Sequence, residues 1–232
     1  MPEKEMEENS SYLTSEEYLK HIVLDFKQMQ EFIKEPLMMV KADGVRYEDI
    51  HGKTYLDGIS GIYVATIGHN NPVIKEAIRK QMEKVTFTPP LHATNPPAVQ
   101  LAELIARITP DDLNTVKLLS GGSEATEAAM KLARQYHRQT GNPNKYKVVS
   151  MYEGFHGTTM GGLSATGISK RKMMFEPTLT GFIHTFPPTC FHCPYEDKYP
   201  ECNILCAKMI GKTIKLEGPD SVSALIIEPI GN

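Results

Sequence analysis

The stretch Leu119-Ser120-Gly121-Gly122-Ser123-Glu124-Ala125 indicates the fold most directly, because an apolar run passes through two glycines into a helical pattern. The residues before it, Val116–Leu119, predict a short buried strand. Those after it recur on one face of a helix: Ala125, Ala129, Leu132, Ala133 and Tyr136. Glycines let the backbone approach an anion, and the first amides of a helix point at it. We therefore predict an anion site, most naturally for phosphate, at Gly122 and Ser123.

Two other interpretations of this glycine turn stay open. The glycines also suit a tight strand-to-helix turn that binds nothing. No Gly-Lys-Ser/Thr follows them, so the turn is not a P-loop, and it does not match the GxGxxG fingerprint. Nucleotide binding is weakened by these mismatches without being excluded.

Further apolar runs predict more strands. They cover Lys147–Ser150, Phe182–Phe186 and Ala224–Ile227, with helical or irregular segments between them. Strands separated by helix-length connections favour a mostly parallel sheet. The predicted class is α/β, with this sheet in a large domain.

The N-terminal third has a different pattern. Thr14 to Glu17 matches a capping box, and apolar residues at helical spacing follow as far as Ile33, which predicts an amphipathic first helix. Runs at Val45–Ile50 and Lys53–Ile59 predict a β-hairpin, and helices are expected at Val73–Met82 and from Ala98. We predict an N-terminal segment and small subdomain over residues 1–65 and a large domain over residues 66–232.

Composition and charge narrow the classes of partner. The 232 residues carry a net charge of −3, which argues against a strongly basic surface for nucleic acid or an anionic membrane. Residues Met1 to Asn9 are acidic and polar, unlike a secretory signal, and no run reaches membrane-spanning length. We expect a cytoplasmic protein whose partners are small molecules or other protein subunits.

The four cysteines fall in one short stretch, at Cys190, Cys193, Cys202 and Cys206. Two closely spaced pairs are compatible with a tetrahedral zinc set, with His192 as a spare ligand. The alternative is that the thiols are simply reduced and partly buried. The metal site is therefore left open.

Three motifs resemble the pyridoxal-phosphate-dependent class III aminotransferases. Ser120 to Arg134, SGGSEATEAAMKLAR, is similar to the family's phosphate-binding motif, with Thr126 where many members carry asparagine. Tyr152–Thr159, YEGFHGTT, resembles the aromatic-His-Gly segment, and Ile226–Asn232 resembles the strand that ends in Glu-Pro. Their order along the chain strengthens the resemblance, which implies fold type I.

The resemblance implies a role for each residue. Gly122 and Ser123 would hold the phosphate of pyridoxal 5'-phosphate, and Phe155 would stack on its ring. His156 would hydrogen-bond near the ring, although a structural histidine is an equal alternative. Glu228 would lie beside the cofactor and the substrate.

Two weaker matches to the family lie upstream of these three motifs. Tyr55–Val64 and Gly68–Pro72 resemble the family's N-terminal segments, in which Tyr63 matches an aromatic presented to the substrate. A core position in the small domain is the alternative for Tyr63. Leu91–Pro97 resembles a loop at the family's dimer interface, so the resemblance implies a homodimer.

The expected function is transfer of an amino group from an amine or amino acid to a 2-oxo acid. Aminomutases, decarboxylases and phospholyases of the same family share these motifs, so their reactions stay open as alternatives. Two alternatives belong to other classes of protein. A non-catalytic phosphate- or nucleotide-binding module would leave Phe155 and Glu228 unexplained. An interaction domain stabilised by zinc would explain little beyond the cysteines.

The resemblance also predicts that these 232 residues alone do not catalyse transamination. The reaction needs a lysine that bonds the cofactor and an acid at its pyridine nitrogen, and the family places both after the Glu-Pro strand. Assaying the 232-residue chain with cofactor, an amino donor and a 2-oxo acid should give no amino product. Turnover by the chain alone would contradict this expectation.

Overall fold

A computed structural model describes residues 14–110 and 112–231. The described residues form two compact units that succeed each other in the chain at Asn95 and Pro96. The predicted domain division after residue 65 is a different boundary, and it stays a prediction.

The first helix is shorter than predicted. Two brief helices, α1 (Glu16–Leu19) and α2 (Met29–Lys34), replace the continuous helix expected from Thr14 to Ile33, so that prediction is wrong. Phe26, between them, has φ 56° and is 79% exposed, so the apolar stripe has little surface to pack against. A short helix without such packing is marginal. The expected cytoplasmic location rested partly on the acidic, polar character of Met1 to Asn9. These residues lie outside the described ones.

The predicted hairpin is confirmed and gains a third strand. Strands β1 (Met39–Asp43), β2 (Arg46–Asp49) and β3 (Thr54–Leu56) form an antiparallel sheet in that order. Asp49, only 5% exposed, accepts hydrogen bonds from the backbone N–H groups of His51 and Lys53, each at 2.9 Å. Its other oxygen accepts a 2.8 Å bond from the Tyr55 hydroxyl. This buried carboxylate closes the turn between β2 and β3.

A single turn, Ser60–Tyr63, follows β3, and helix α3 (Pro72–Met82) completes the first unit. Asn71 caps α3 by accepting the Val73 N–H at 3.0 Å. Helix α4 (Pro96–Ile108) begins the second unit. The helices expected over 73–82 and from residue 98 are therefore confirmed.

The second unit is built on a parallel sheet. Its elements are α5 (Gly122–Gln139), β4 (Lys147–Met151), α6 (Met160–Ala165), α7 (Ser169–Lys172), β5 (Phe182–Thr185), α8 (Leu205–Glu217) and β6 (Val222–Leu225). Short 3-10 turns lie at Met173–Phe175 and Pro219–Ser221. The strand order is β5-β4-β6, and both pairings are parallel, as predicted.

The core of this unit lies beneath the central strand. Val148 on β4 is fully buried and packs with Met130 of α5 and Ala165 of α6. Phe182 and Ile226 cover the edges of this cluster. The apolar face that the sequence predicts for α5 therefore reaches the core through Met130.

One predicted strand does not form. Residues 116–119 belong to no strand of the structure, and Leu118 and Leu119 are 47% and 42% exposed. A strand exists only where a neighbour supplies ladder hydrogen bonds. Within residues 14–110 and 112–231 no strand pairs with this segment. The prediction of a strand over residues 116–119 is therefore wrong.

No helix in the described ranges is both long enough and apolar enough to cross a membrane.

The backbone after α6 packs so closely on β4 that only glycine fits at residue 167. An added Cβ there would lie 2.1 Å from the Met151 carbonyl oxygen and 2.5 Å from the Tyr152 Cα. We expect Gly167→Ala to lower the free energy of unfolding by about 3 kcal/mol, because the contacts are backbone atoms that cannot rotate away.

Gly211 supplies the matched control. It lies inside α8, and a Cβ there would meet nothing within 4 Å. We expect Gly211→Ala to raise the free energy of unfolding by about 0.5–1 kcal/mol. Urea unfolding of both variants measures the difference, and equal effects would contradict the close packing described for residue 167.

Candidate active site

A cavity of about 350 Å³ lies beyond the carboxyl ends of the parallel strands. Its lining comes from the end of each strand: Met151 at the end of β4 and Tyr152, Glu153, Gly154 and His156 after it, Pro187, Pro188 and Thr189 after β5, and Glu228, Pro229 and Gly231 after β6. Open α/β sheets bind ligands at this edge. Two residues that the sequence predicted for the site, His156 and Glu228, line the same cavity.

Glu228 is fixed by a contact across 73 positions of the chain. Its Oε1 accepts a hydrogen bond from the backbone N–H of Phe155 at 3.1 Å. This bond links the segment after β6 to the segment after β4. The carboxylate therefore lies at the edge of the cavity.

Ser123 joins the start of α5 to the same segment. Its Oγ accepts the backbone N–H of Thr158 at 3.0 Å and lies 3.5 Å from the Thr158 hydroxyl. Gly157 makes this approach feasible, because its φ is +130° and a Cβ there would lie 2.9 Å from Ser123 Oγ. The predicted phosphate turn and the predicted aromatic-His-Gly segment are thus in direct contact.

The start of α5 keeps the features of an anion site. Gly121 precedes the helix without a side-chain cap, and a Cβ at Gly122 would meet nothing within 4 Å. The first amides of a helix have no acceptor within it, so they remain available to a ligand. The Glu124 carboxylate lies near Gly121, 3.0 Å from the position of an added Cβ, and places a negative charge at this turn.

His156 is buried beside the cavity and is 8% exposed. Its backbone N–H donates to Thr166 Oγ1 at 3.0 Å, while its Nε2 is buried and has no hydrogen-bond partner among the described residues. Burial lowers the pKa of His156, and the nearby Glu228 carboxylate opposes that shift. A neutral, unpaired ring nitrogen at a cavity is suited to bind a polar atom of a ligand.

Phe155 directly precedes His156 in the chain and is 38% exposed. The guanidinium carbon of Arg171 lies 4.9 Å from the centre of its ring, within cation–π range. The Phe155 ring is therefore in contact with the planar guanidinium cation of Arg171.

Sequence reasoning missed the layer that supports His156. Thr166 is fully buried, and its Oγ1 donates to the Gly162 carbonyl at 2.9 Å while accepting from His156. Its carbonyl lies 3.2 Å from Nε2 of His184, whose ring stacks on Tyr152 at 5.4 Å. Apart from the bond to Gly162, four positions away, these contacts join residues 10 to 32 positions apart, so local spacing gave no signal for them.

The cysteines lie around one small cavity of about 20 Å³ that all four of them line. In the part of the chain that the structure describes, no three His, Cys, Asp or Glu side chains are grouped as metal ligands. All four are free thiols. The zinc set and the reduced, partly buried thiols both stay predictions.

Tyr63 lies in the first unit. Its side chain is 76% exposed, so the alternative of a buried core position is wrong within this structure. Its role towards a substrate stays a prediction.

Comparison with known proteins identifies the family of this site. The family model described as aminotransferase class-III matches residues 29–232.

The chain belongs to the class III aminotransferase family.

Relatives and solved structures of this family agree with the fold. The chain is 38% identical over 213 residues to "Probable aminotransferase Rv3329" of Mycobacterium tuberculosis, covering 92% of the chain and 46% of the relative. An omega-aminotransferase of Caulobacter vibrioides is 31% identical over 210 residues, with coverages of 89% and 47%. A thermostable (S)-enantioselective omega-transaminase from Thermomicrobium roseum superposes with a TM-score of 0.89 at 32% identity, covering 97% of this chain and 50% of that one.

These comparisons have two consequences. The class III aminotransferase chain has the fold type I architecture of the solved transaminases, with a parallel sheet in its second unit. It spans less than half the length of the curated relatives it matches. The activity of the whole protein is therefore argued as a proposal.

The buried histidines predict how stability depends on pH. Burial lowers the pKa of both His156 and His184. Below about pH 6.5 these rings bind protons in the unfolded chain but stay neutral in the folded protein. The free energy of unfolding therefore falls as the pH decreases through that value.

Urea unfolding at about pH 7.5 and about pH 5.5 measures this loss. We expect His184→Gln to lose less stability over that interval than the wild type, and the exposed control His92→Gln to behave as the wild type does. Equal losses in the wild type and in His184→Gln would contradict the inferred neutral state of His184.

Proposed function

We propose that the complete protein containing this chain transfers an amino group from an amine or amino acid to a 2-oxo acid, with pyridoxal 5'-phosphate as cofactor. One observation carries the proposal. Two hydrogen bonds, Thr158 N–H to Ser123 and Phe155 N–H to Glu228, bring a helix start, an aromatic ring and a carboxylate to one edge of the sheet. Membership of the class III aminotransferase family supports the same assignment.

The residues present fit a flat aromatic cofactor that carries a phosphate. Space is open above Gly122, and the buried Nε2 of His156 has no partner among the described residues. A phosphate suits the amides of the first turn of α5, and a polar ring substituent suits His156. When bound, pyridoxal phosphate supplies an electron sink for charge that develops on the substrate.

Each residue of the proposed site then has a role. Gly122 and Ser123 hold the phosphate through backbone amides and, for Ser123, the hydroxyl. Phe155 stacks on the ring, whose flat face suits an aromatic neighbour. His156 and Glu228 orient the ring and the substrate by hydrogen bonding, and the Phe155 N–H fixes the carboxylate in place.

The remaining parts of the proposal concern partners. Tyr63 presents an aromatic face to the substrate, and the protein acts as a homodimer, as the resemblance of Leu91–Pro97 implies. No lysine of this chain is assigned the bond to the cofactor. Other reactions of the same family, such as decarboxylation or aminomutation, use the same cofactor and are separated from transamination by their products.

Cofactor retention tests the proposed phosphate contact. Ser123→Ala in the complete native protein removes a hydroxyl that donates to a charged group, which should weaken retention of pyridoxal phosphate about tenfold or more. Visible absorbance after dialysis against a concentration series measures it. The control is Thr115→Ala, which removes a hydroxyl from an exposed residue before the turn.

The activity itself is tested with the wild-type protein. An amine donor and a 2-oxo acid should yield the matching ketone or aldehyde and amino acid in equal amounts. Retention of cofactor without these products would contradict transamination. Equal retention in Ser123→Ala and Thr115→Ala would contradict the assignment of Ser123.

A further inference from the structure

The turn Ser60–Tyr63 has a backbone conformation that L-residues rarely adopt. Four consecutive residues have positive φ: Ser60 at 50°, Gly61 at 56°, Ile62 at 58° and Tyr63 at 68°. This is one turn of left-handed helix, in which each Cβ crowds the following carbonyl oxygen. A β-branched residue such as Ile62 is a genuine outlier there. The segment therefore stores strain that other contacts must offset.

Burial of its own side chains does not offset that strain. Ile62 is 69% exposed and Tyr63 is 76% exposed. Two backbone hydrogen bonds close the turn, from Tyr63 N–H to the Ile59 carbonyl at 2.9 Å and from Ala65 N–H to the Ser60 carbonyl at 2.8 Å. Strained segments that persist without packing of their own are typical of functional positions.

A carboxylate–imidazole pair lies at the base of the turn. Asp57 Oδ2 lies 2.7 Å from Nε2 of His69, and their side chains are 4% and 16% exposed. The other oxygen, Oδ1, accepts the backbone N–H of Ile59 at 3.3 Å, at the start of the turn. The His69 hydrogen bond also lowers the pKa of Asp57, so the carboxylate stays charged at neutral pH.

Both partners are anchored to the hairpin sheet by their backbones. Asp57 N–H donates to the Val45 carbonyl at 2.9 Å. His69 and Gly44 exchange two backbone hydrogen bonds, at 2.7 Å and 3.2 Å. The pair is therefore a fixed platform and not a flexible surface contact.

The turn rests directly on this platform. The His69 ring lies 4.4 Å from the Tyr47 ring, centre to centre. A Cβ at Gly61 would lie 3.4 Å from the Tyr47 hydroxyl oxygen and 3.8 Å from Cε1 of His69. Gly61 thus lets the left-handed turn settle against the pair, at the one position where positive φ carries no side-chain penalty.

We propose that Asp57 and His69 are a positioning pair that locks the left-handed turn Ser60–Tyr63 and so fixes the exposed ring of Tyr63 for the substrate. The locking rests on the contacts above. The contact with the substrate rests, in addition, on the proposed function. Neither residue is assigned a part in the chemistry, because each acts through the turn.

Hydrogen–deuterium exchange of the complete native protein tests this lock, the restraint of the turn Ser60–Tyr63 by Asp57 and His69. The experiment requires no enzymatic activity. We expect His69→Ala to accelerate exchange of the amides over residues 59–65 about tenfold, because a hydrogen bond to a charged group is lost. Asp57→Asn keeps the size of the side chain and the acceptor for Ile59, and should accelerate the same amides. Exchange over Arg46–Asp49 of β2, in the same unit, reports that the hairpin sheet remains folded.

The matched control is Lys41→Ala, which removes an exposed contact with Glu48 on the same hairpin sheet at 3.9 Å. It should leave exchange over residues 59–65 unchanged. Exchange in His69→Ala and Asp57→Asn that equals the wild type would overturn the lock, whatever the activity of the protein.

Steady-state kinetics test the link to the substrate. With the lock loosened, the KM for the amino donor should rise several-fold while kcat changes little, because binding and not chemistry loses its preorganised surface. Faster exchange with an unchanged KM would overturn the presentation of Tyr63. A wild-type protein that performs no transamination would overturn the proposed function, and the exchange data would still decide the lock.

Discussion

The hydrogen bond from the Thr158 backbone N–H to the Ser123 hydroxyl is the constraint on which the candidate site depends. It joins the start of α5 to the segment after β4, two parts of the chain that a strand and a long helix separate. The contact requires glycine at residue 157, because a Cβ there would collide with Ser123. Without this hydrogen bond, the amides at the start of α5 and the cavity beyond the sheet would be two independent features and not one site.

Electrostatics give the two sides of this site different characters. The start of α5 carries the positive end of the helix dipole and suits an anion. The cavity side carries the Glu228 carboxylate and the buried ring of His156, whose pKa burial lowers. A ligand with a phosphate at one end and hydrogen-bonding groups on a flat ring would satisfy both sides. The cofactor of the class III aminotransferases has that form.

The sequence predicted those features that local patterns encode. Apolar runs located β4, β5 and β6, and the glycines of residues 121–122 located the turn before α5. Features set by distant partners were missed or wrong. The expected first helix is broken around Phe26, whose φ is positive, and the expected strand over residues 116–119 has no pairing partner among the described residues. Thr166 and the Asp57–His69 pair became visible only through contacts across the fold.

The central claim is that the start of α5 binds a phosphate in one ring-bearing cofactor. Phosphorus NMR of the complete native protein with pyridoxal phosphate tests it directly, because a free phosphate monoester titrates with a pKa of about 6. We expect a bound resonance that does not titrate between about pH 5.5 and about pH 8, because the helix start favours the dianion. A resonance that titrates as the free cofactor does would contradict it.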